Sequence, residues 1–181
     1  MSILSLWQPV LASAVIVFFA GAAIWMVMPW HKSDWRKPHD EEGVRSALKD
    51  LAPGQYSLPH CPNRSALNDP GMQQKFKDGP VAFITVVASG LPRMGPTLGM
   101  NFAYNVLVSI MCAYLVSRTL APDAEYLAIF RISGAVAFVA YGMAFVQDSI
   151  WFGRPWLVTI KTFLDALIYS LLTGGVFGWL A

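Results

Sequence analysis

Charge, cysteine and histidine are all scarce in this sequence, and each shortage closes off a class of function. Only 13% of the 181 residues are charged, against 55% from the apolar set AVILMFWYC, which lies outside the usual soluble balance. The formal charge of +2, without an arginine-rich run, excludes nucleic acid as a partner. Two cysteines cannot build a disulfide scaffold: Cys61 lies in a polar stretch and Cys112 in an apolar one, so both are expected as free thiols. The three histidines all precede residue 61, and none falls in a long apolar run, which excludes a bis-histidine haem held within the membrane by this chain alone. HExxH, GxSxG and CxxC are missing. "GLPRMGPTLG" is glycine-rich but lacks the GK[ST] of a phosphate loop and the GxGxxG spacing, so it reads as a turn.

What the sequence does have is long apolar runs. Four are long enough to cross about 30 Å of hydrocarbon as helices: Leu6–Met28, Thr97–Val116, Tyr126–Val146 and Trp156–Leu180. No Lys or Arg precedes the first, which is longer than a signal-peptide core and is expected to remain as an anchor. The joins "SRTLAPDAE" and "QDSIWFGRPW" are short, so consecutive helices should be antiparallel neighbours, with Asp123 suited to capping the third. The expected fold class is mainly α: a four-helix transmembrane bundle with a small cytoplasmic α+β cap between the first two spans. The corresponding segments are 1–29, a polar stretch 30–96, and a three-helix region 97–181.

Within the polar stretch, "DEEGVRSALKDL" predicts a short amphipathic helix from about Asp40, and "QYSLPH" a short strand. "DPGMQQKFKDG" predicts a helix with Asp69 at the N-cap and Pro70 at N1. "PVAFITVVASG" reads as a β-rich run too short to span, with a re-entrant or interfacial segment as the alternative. Nine of the Lys and Arg residues lie in this loop and Arg154 lies in the third, against none before the first span and Arg118 in the second loop. The positive-inside rule then puts both termini outside the cytoplasm.

The membrane interior holds the candidate chemistry. Lys161, Asp165, Tyr169 and Thr173 recur at four-residue steps on the fourth span, and a carboxylate at the depth of Asp165 must be paired, hydrated or protonated. Lys161 on the same helix, and Asn101 and Asn105 from the second span, are the expected answering groups. Asp148 and Arg154 are boundary charges that could extend the network, whereas Arg131 is expected to reach its own surface. Structural pairing is the first reading of this stripe, with proton, ion or substrate handling the second. Gly174 and Gly178 form a GxxxG that could serve packing or self-association. His31, His39, His60 and Cys61 are the residues that could ligate a metal ion, but their spacing matches no metal motif, so loop histidines are the bland reading and no cofactor is predicted.

"WHKSDWRK", "KDGPVAFIT", "DSIWFGRPW" and "LLTGGVFGWL" resemble segments of small bacterial membrane proteins for which no activity is established. The resemblance implies a four-span protein of a bacterial inner membrane and carries over no catalytic residue. Three functions follow as expectations. The first is an accessory or assembly subunit of a larger membrane complex, with other membrane subunits or a second copy as partners besides the lipid bilayer. The others are a small transporter or channel using the Asp165 stripe, and a metal-dependent or redox membrane enzyme.

Overall fold

The computed structural model describes residues 2–181, which fall into two units: residues 2–35 with 93–181, and Arg36–Pro92. The first unit is built from helices long and apolar enough to span a bilayer. A 3₁₀ turn, Ile3–Leu6, leads into α1 (Trp7–Met26). In the Arg36–Pro92 unit follow α2 (Glu41–Leu48), β1 (Gly54–Leu58), α3 (Pro70–Asp78) and β2 (Ala82–Val86). The chain then enters α4 (Met94–Thr119), α5 (Tyr126–Phe138), a π-helical turn (Val139–Met143), α6 (Ala144–Trp151) and α7 (Trp156–Leu180). With α5, the π turn and α6 forming one span, the protein is an integral membrane protein of four membrane-spanning helices.

The bundle is an antiparallel ring, as short joins require. Ser13 of α1 meets Ser109 of α4, and Phe18 meets Phe102, so residue numbers rise on one helix as they fall on the other. Cys112 of α4 meets Ser133 of α5, while Tyr104 meets Tyr141. Phe130 packs on Gly174 of α7 and Gly142 on Ala166; Tyr169 of α7 closes the ring against Gly21 of α1. Side chains are distributed as a lipid solvent demands. On α7 the buried positions are Thr159, Thr162, Asp165, Ala166, Ser170, Thr173, Gly174 and Phe177. Ile160, Leu164, Leu167 and Leu171 face outward on the same helix. Small and polar residues let helices approach closely, and hydrocarbon accepts the leucines.

The GxxxG is consumed inside this ring. A Cβ at Gly174 would lie 3.0 Å from the Phe130 carbonyl oxygen, and one at Gly178 would lie 2.7 Å from the Tyr126 ring. These glycines seat α5 on α7 and are not left over as a self-association face. Gly174→Ala is therefore expected to push the two backbones apart and cost about 1–3 kcal/mol in reversible unfolding in mixed micelles. An unchanged stability would contradict this packing.

Several span ends differ from expectation: the first span ends at Met26, two residues before Met28. The second span is longer at both ends, Met94–Thr119, and the third runs on to Trp151 through its π turn. Asp123 does not cap α5: the helix starts two residues later, with Glu125 at the N-cap position and no side-chain cap bond.

The Arg36–Pro92 unit follows its local signals closely. Asp40 accepts from the Gly43 amide at the start of α2, and Asp69 from the Met72 amide at the start of α3, where Pro70 fills the first turn. Gly79 ends α3 with φ of 65°, a conformation that favours glycine. β1 and β2 pair antiparallel, Gly54 opposite Val86 and Leu58 opposite Ala82, so the 81–90 run is a strand over Ala82–Val86.

Candidate functional site

The six residues after the first turn past α1 set the site. Lys32 donates its amide to the Pro29 carbonyl and Asp34 to that of His31, so the chain folds into a tight strap. Spacing of three residues in these turns puts His31 and Asp34 side by side. Helix α7 brings Lys161 and Asp165 to the same place.

His31 uses both ring nitrogens. Nδ1 lies 2.7 Å from Asp34 Oδ2 and Nε2 lies 2.8 Å from Asp165 Oδ2. His31, Asp34 and Asp165 are almost fully enclosed, each with a side chain about 4% exposed. Lys161 donates to Asp34 Oδ1 at 2.5 Å, to Ser33 Oγ at 2.9 Å and to the Trp30 carbonyl oxygen. Two carboxylates, one ammonium and one imidazole thus form a single buried chain, Lys161–Asp34–His31–Asp165.

Aromatic rings wall it. The His31 ring stacks on Trp25, centroids 4.1 Å apart and nearly parallel, and meets Trp30 edge-on. The indole N–H of Trp30 and Asp165 Oδ1 are both buried without a hydrogen bond at full geometry. Burial works against a charged Asp34, but the hydrogen bonds from Lys161 and His31 together outweigh it and hold its carboxyl below the usual aspartate value of 3.8.

The sequence-based pairing of Lys161 with Asp165 does not form. Side chains on a helix lean toward its N-terminus, so Lys161, four residues before Asp165, reaches away from it and toward the strap. Asn105 and Asn101 do not answer Asp165 either. Asn105 is buried and accepts from the Tyr141 hydroxyl at 3.3 Å, whereas Asn101 is exposed on α4. His31, read from sequence as a metal candidate, is the partner instead.

Beyond Asp165 the polar face continues. Tyr169 meets Tyr141 edge-to-face at 5.4 Å, and its hydroxyl sits over Gly21, where a Cβ would lie 3.3 Å away. Tyr141 stands in the π turn, a distortion often found at functional sites. Thr173 is fully buried and its hydroxyl has no partner. Ser109 and Ser13 share a hydrogen bond of 2.9 Å between α4 and α1. At the α6–α7 join, Arg154 donates to Thr162 at 2.9 Å, lies 3.9 Å from Asp148 and stacks on Phe145. Ser149 and Thr159 hydroxyls lie 2.6 Å apart beside it. Arg131 faces outward on α5.

No group of three or more His, Cys, Asp or Glu suited to a metal ion occurs among the described residues. His39 and His60 are exposed in the Arg36–Pro92 unit, His60 beside Ser57, and the Cys61 thiol donates to the Asn63 carbonyl. They do not join His31, whose two nitrogens already face carboxylates. Comparison with family models, curated proteins and solved structures returned no match.

Missed from sequence were Asp34, Ser33, Trp25, Trp30 and Tyr141 as members of the site, and His31 as the partner of Asp165. One signal was there to use. A buried intramembrane carboxylate needs a cationic or donor partner, and "WHKSD" puts His31 and Asp34 immediately after the end of a span.

Proposed function

We propose that this protein handles protons in the membrane, as a small proton-coupled transporter or proton conductor in which the His31–Asp165 pair binds the proton. The observation that carries this reading is the buried 2.8 Å contact between an imidazole nitrogen and a carboxylate at a depth of about 13 Å along α7. Such pairs bind and release a proton with little other rearrangement of charge, which is how intramembrane His and Asp groups commonly act. An accessory-subunit role or a redox enzyme makes no demand on a buried carboxylate paired in this way.

The basic first loop and the likeness to small inner-membrane proteins support a bacterial inner membrane with both termini outside the cytoplasm. The site then lies toward the cytoplasmic face, at the end of α7 nearest Trp156. Four helices enclose only a narrow path, which favours transport by a binding site over an open pore, or assembly with a second copy. The test is proton movement into proteoliposomes, followed with an internal pH dye under an imposed pH gradient or membrane potential. Flux above protein-free vesicles supports the reading, and its absence under both driving forces contradicts it.

A further inference from the structure

We infer that the first two turns of α4 wall a water-filled vestibule, through which protons reach the His31–Asp165 pair from the membrane face at which α4 and α7 begin. The proton as passenger rests on the reading above; the vestibule does not. The argument starts from one helix face. Asn101, Asn105, Ser109 and Cys112 follow one another at spacings of four, four and three, so they point the same way from α4. Asn105, Ser109 and Cys112 are enclosed in the ring, at 3%, 1% and 0% exposure. Asn101 is exposed, and its side chain makes no hydrogen bond to any described residue.

The ring is open at Asn101 because α4 stands clear of its neighbours there. Phe102 against Phe18 of α1, and Tyr104 donating to the Ala140 carbonyl, tie α4 into the bundle. Before them every residue from Met94 to Asn101 is exposed, and among the described residues nothing lies within 4 Å of a Cβ placed on Gly95 or Gly99. The other helices stay packed at this end: Ile24 of α1, Ser149 of α6, and Thr159 and Thr162 of α7 are all buried. The inward side of α4, where Leu98 is 43% exposed beside Asn101, therefore borders a gap.

Water is the occupant that Asn101 calls for. It lies about 10 Å along α4, inside a span of 26 residues. A carboxamide at that depth is costly in hydrocarbon and turns to a protein partner or to water, and no protein partner is present. The same face also leads to the site. Asn105, one turn further on, accepts from the Tyr141 hydroxyl at 3.3 Å. Tyr141 meets Tyr169 edge-to-face at 5.4 Å, and Tyr169 stands one turn past Asp165 on α7. Helices α4 and α7 start on the same side of the membrane, so Asn101 at about 10 Å and Asp165 at about 13 Å lie at comparable depths. A polar face that passes from open to enclosed suits an aqueous entrance, whereas a lipid-filled gap has no use for Asn101.

Single cysteines test the vestibule, placed one at a time in the full chain carrying Cys61→Ser and Cys112→Ser. The protein is held in one orientation in sealed phospholipid vesicles, a charged methanethiosulfonate that cannot cross the bilayer is added on either side, and modification is read by intact mass. Asn101→Cys and Leu98→Cys are expected to react from the side at which α4 begins, at least about tenfold faster than Met100→Cys, because the hydrated thiolate is the reactive form. Met100 is the control at the same depth, 67% exposed on the outward face of α4. Equal rates at all three positions, as a frayed helix end would give, overturn the inference. So does protection of either inward position in a folded variant, the result expected of lipid or of a second copy seated on this face, and so does reaction from the opposite side. Leu98→Cys decides even if Asn101→Cys fails to fold. Labelling without flux removes the proton reading alone, and flux without labelling removes the vestibule alone.

Discussion

Asp165→Asn is expected to reduce proton movement in proteoliposomes to the protein-free level, a loss of about 100-fold or more, while leaving the four-helix bundle folded. The side chain keeps its shape and can still hydrogen-bond His31, so the buried face of α7 is preserved. What disappears is the group that exchanges the proton. An amide cannot ionise at any accessible pH, and His31 alone, tied to Asp34, has no second base at Nε2. The expectation separates a proton-binding carboxylate from one that merely helps to hold the bundle together. Flux that survives the exchange at the wild-type rate would remove Asp165 from the path, and a bundle that no longer folds would instead show a structural role.

Lys161→Met should have the largest effect on stability. The ammonium serves Asp34, Ser33 and the Trp30 carbonyl at once, and its removal leaves the Asp34 carboxylate enclosed with His31 as its remaining partner. Breaking one side of a buried ion pair costs about 3 kcal/mol, and because the strap hangs from this point, the loss is local before it is global. Amide exchange across Pro29–Asp34 is expected to speed up about 100-fold with far less change in α7. The pH dependence follows from the Asp34 carboxyl. Its folded-state value lies below 3.8, so the pair contributes fully above the unfolded-state value and its contribution is lost as the pH falls through the lower, folded one. The gap between wild type and variant should therefore be constant from about pH 5 upward and shrink under strong acid. A gap that grows on acidification would contradict the assignment of Lys161 to Asp34.

The spans and the cap were legible because their causes are local. Hydropathy marks the helices, and Asp40, Asp69 and Pro70 stand where helix starts need them. Asp165 was legible for the same reason, since a carboxylate inside an apolar run is costly wherever it points. Its partner was not. His31 and Asp165 are 134 positions apart, and no periodicity connects a turn after the first helix to the middle of the last. Helix geometry could have removed Lys161 from the list, because its side chain leans away from Asp165. The π turn at Tyr141 was equally hidden: Gly142 there packs with its Cβ position 3.0 Å from Ala166, a fit made by two helices and written in neither. Asp123 shows the opposite failure, a good capping residue placed two positions too early for the helix that follows.

The central claim is that His31 and Asp165 share one exchangeable proton. It is tested most directly by ¹⁵N spectra of the histidine ring nitrogens in lipid bilayers across about pH 5 to about pH 8, with the three histidines assigned by single substitution. The account predicts that His31 at low pH shows hydrogen-bonded protons at both nitrogens or a proton shared with a carboxylate at Nε2. It also predicts that Asp165→Asn shifts this signal without moving those of His39 and His60. A His31 ring whose spectrum ignores the Asp165→Asn exchange, or keeps an unprotonated Nε2 at every pH, would contradict it.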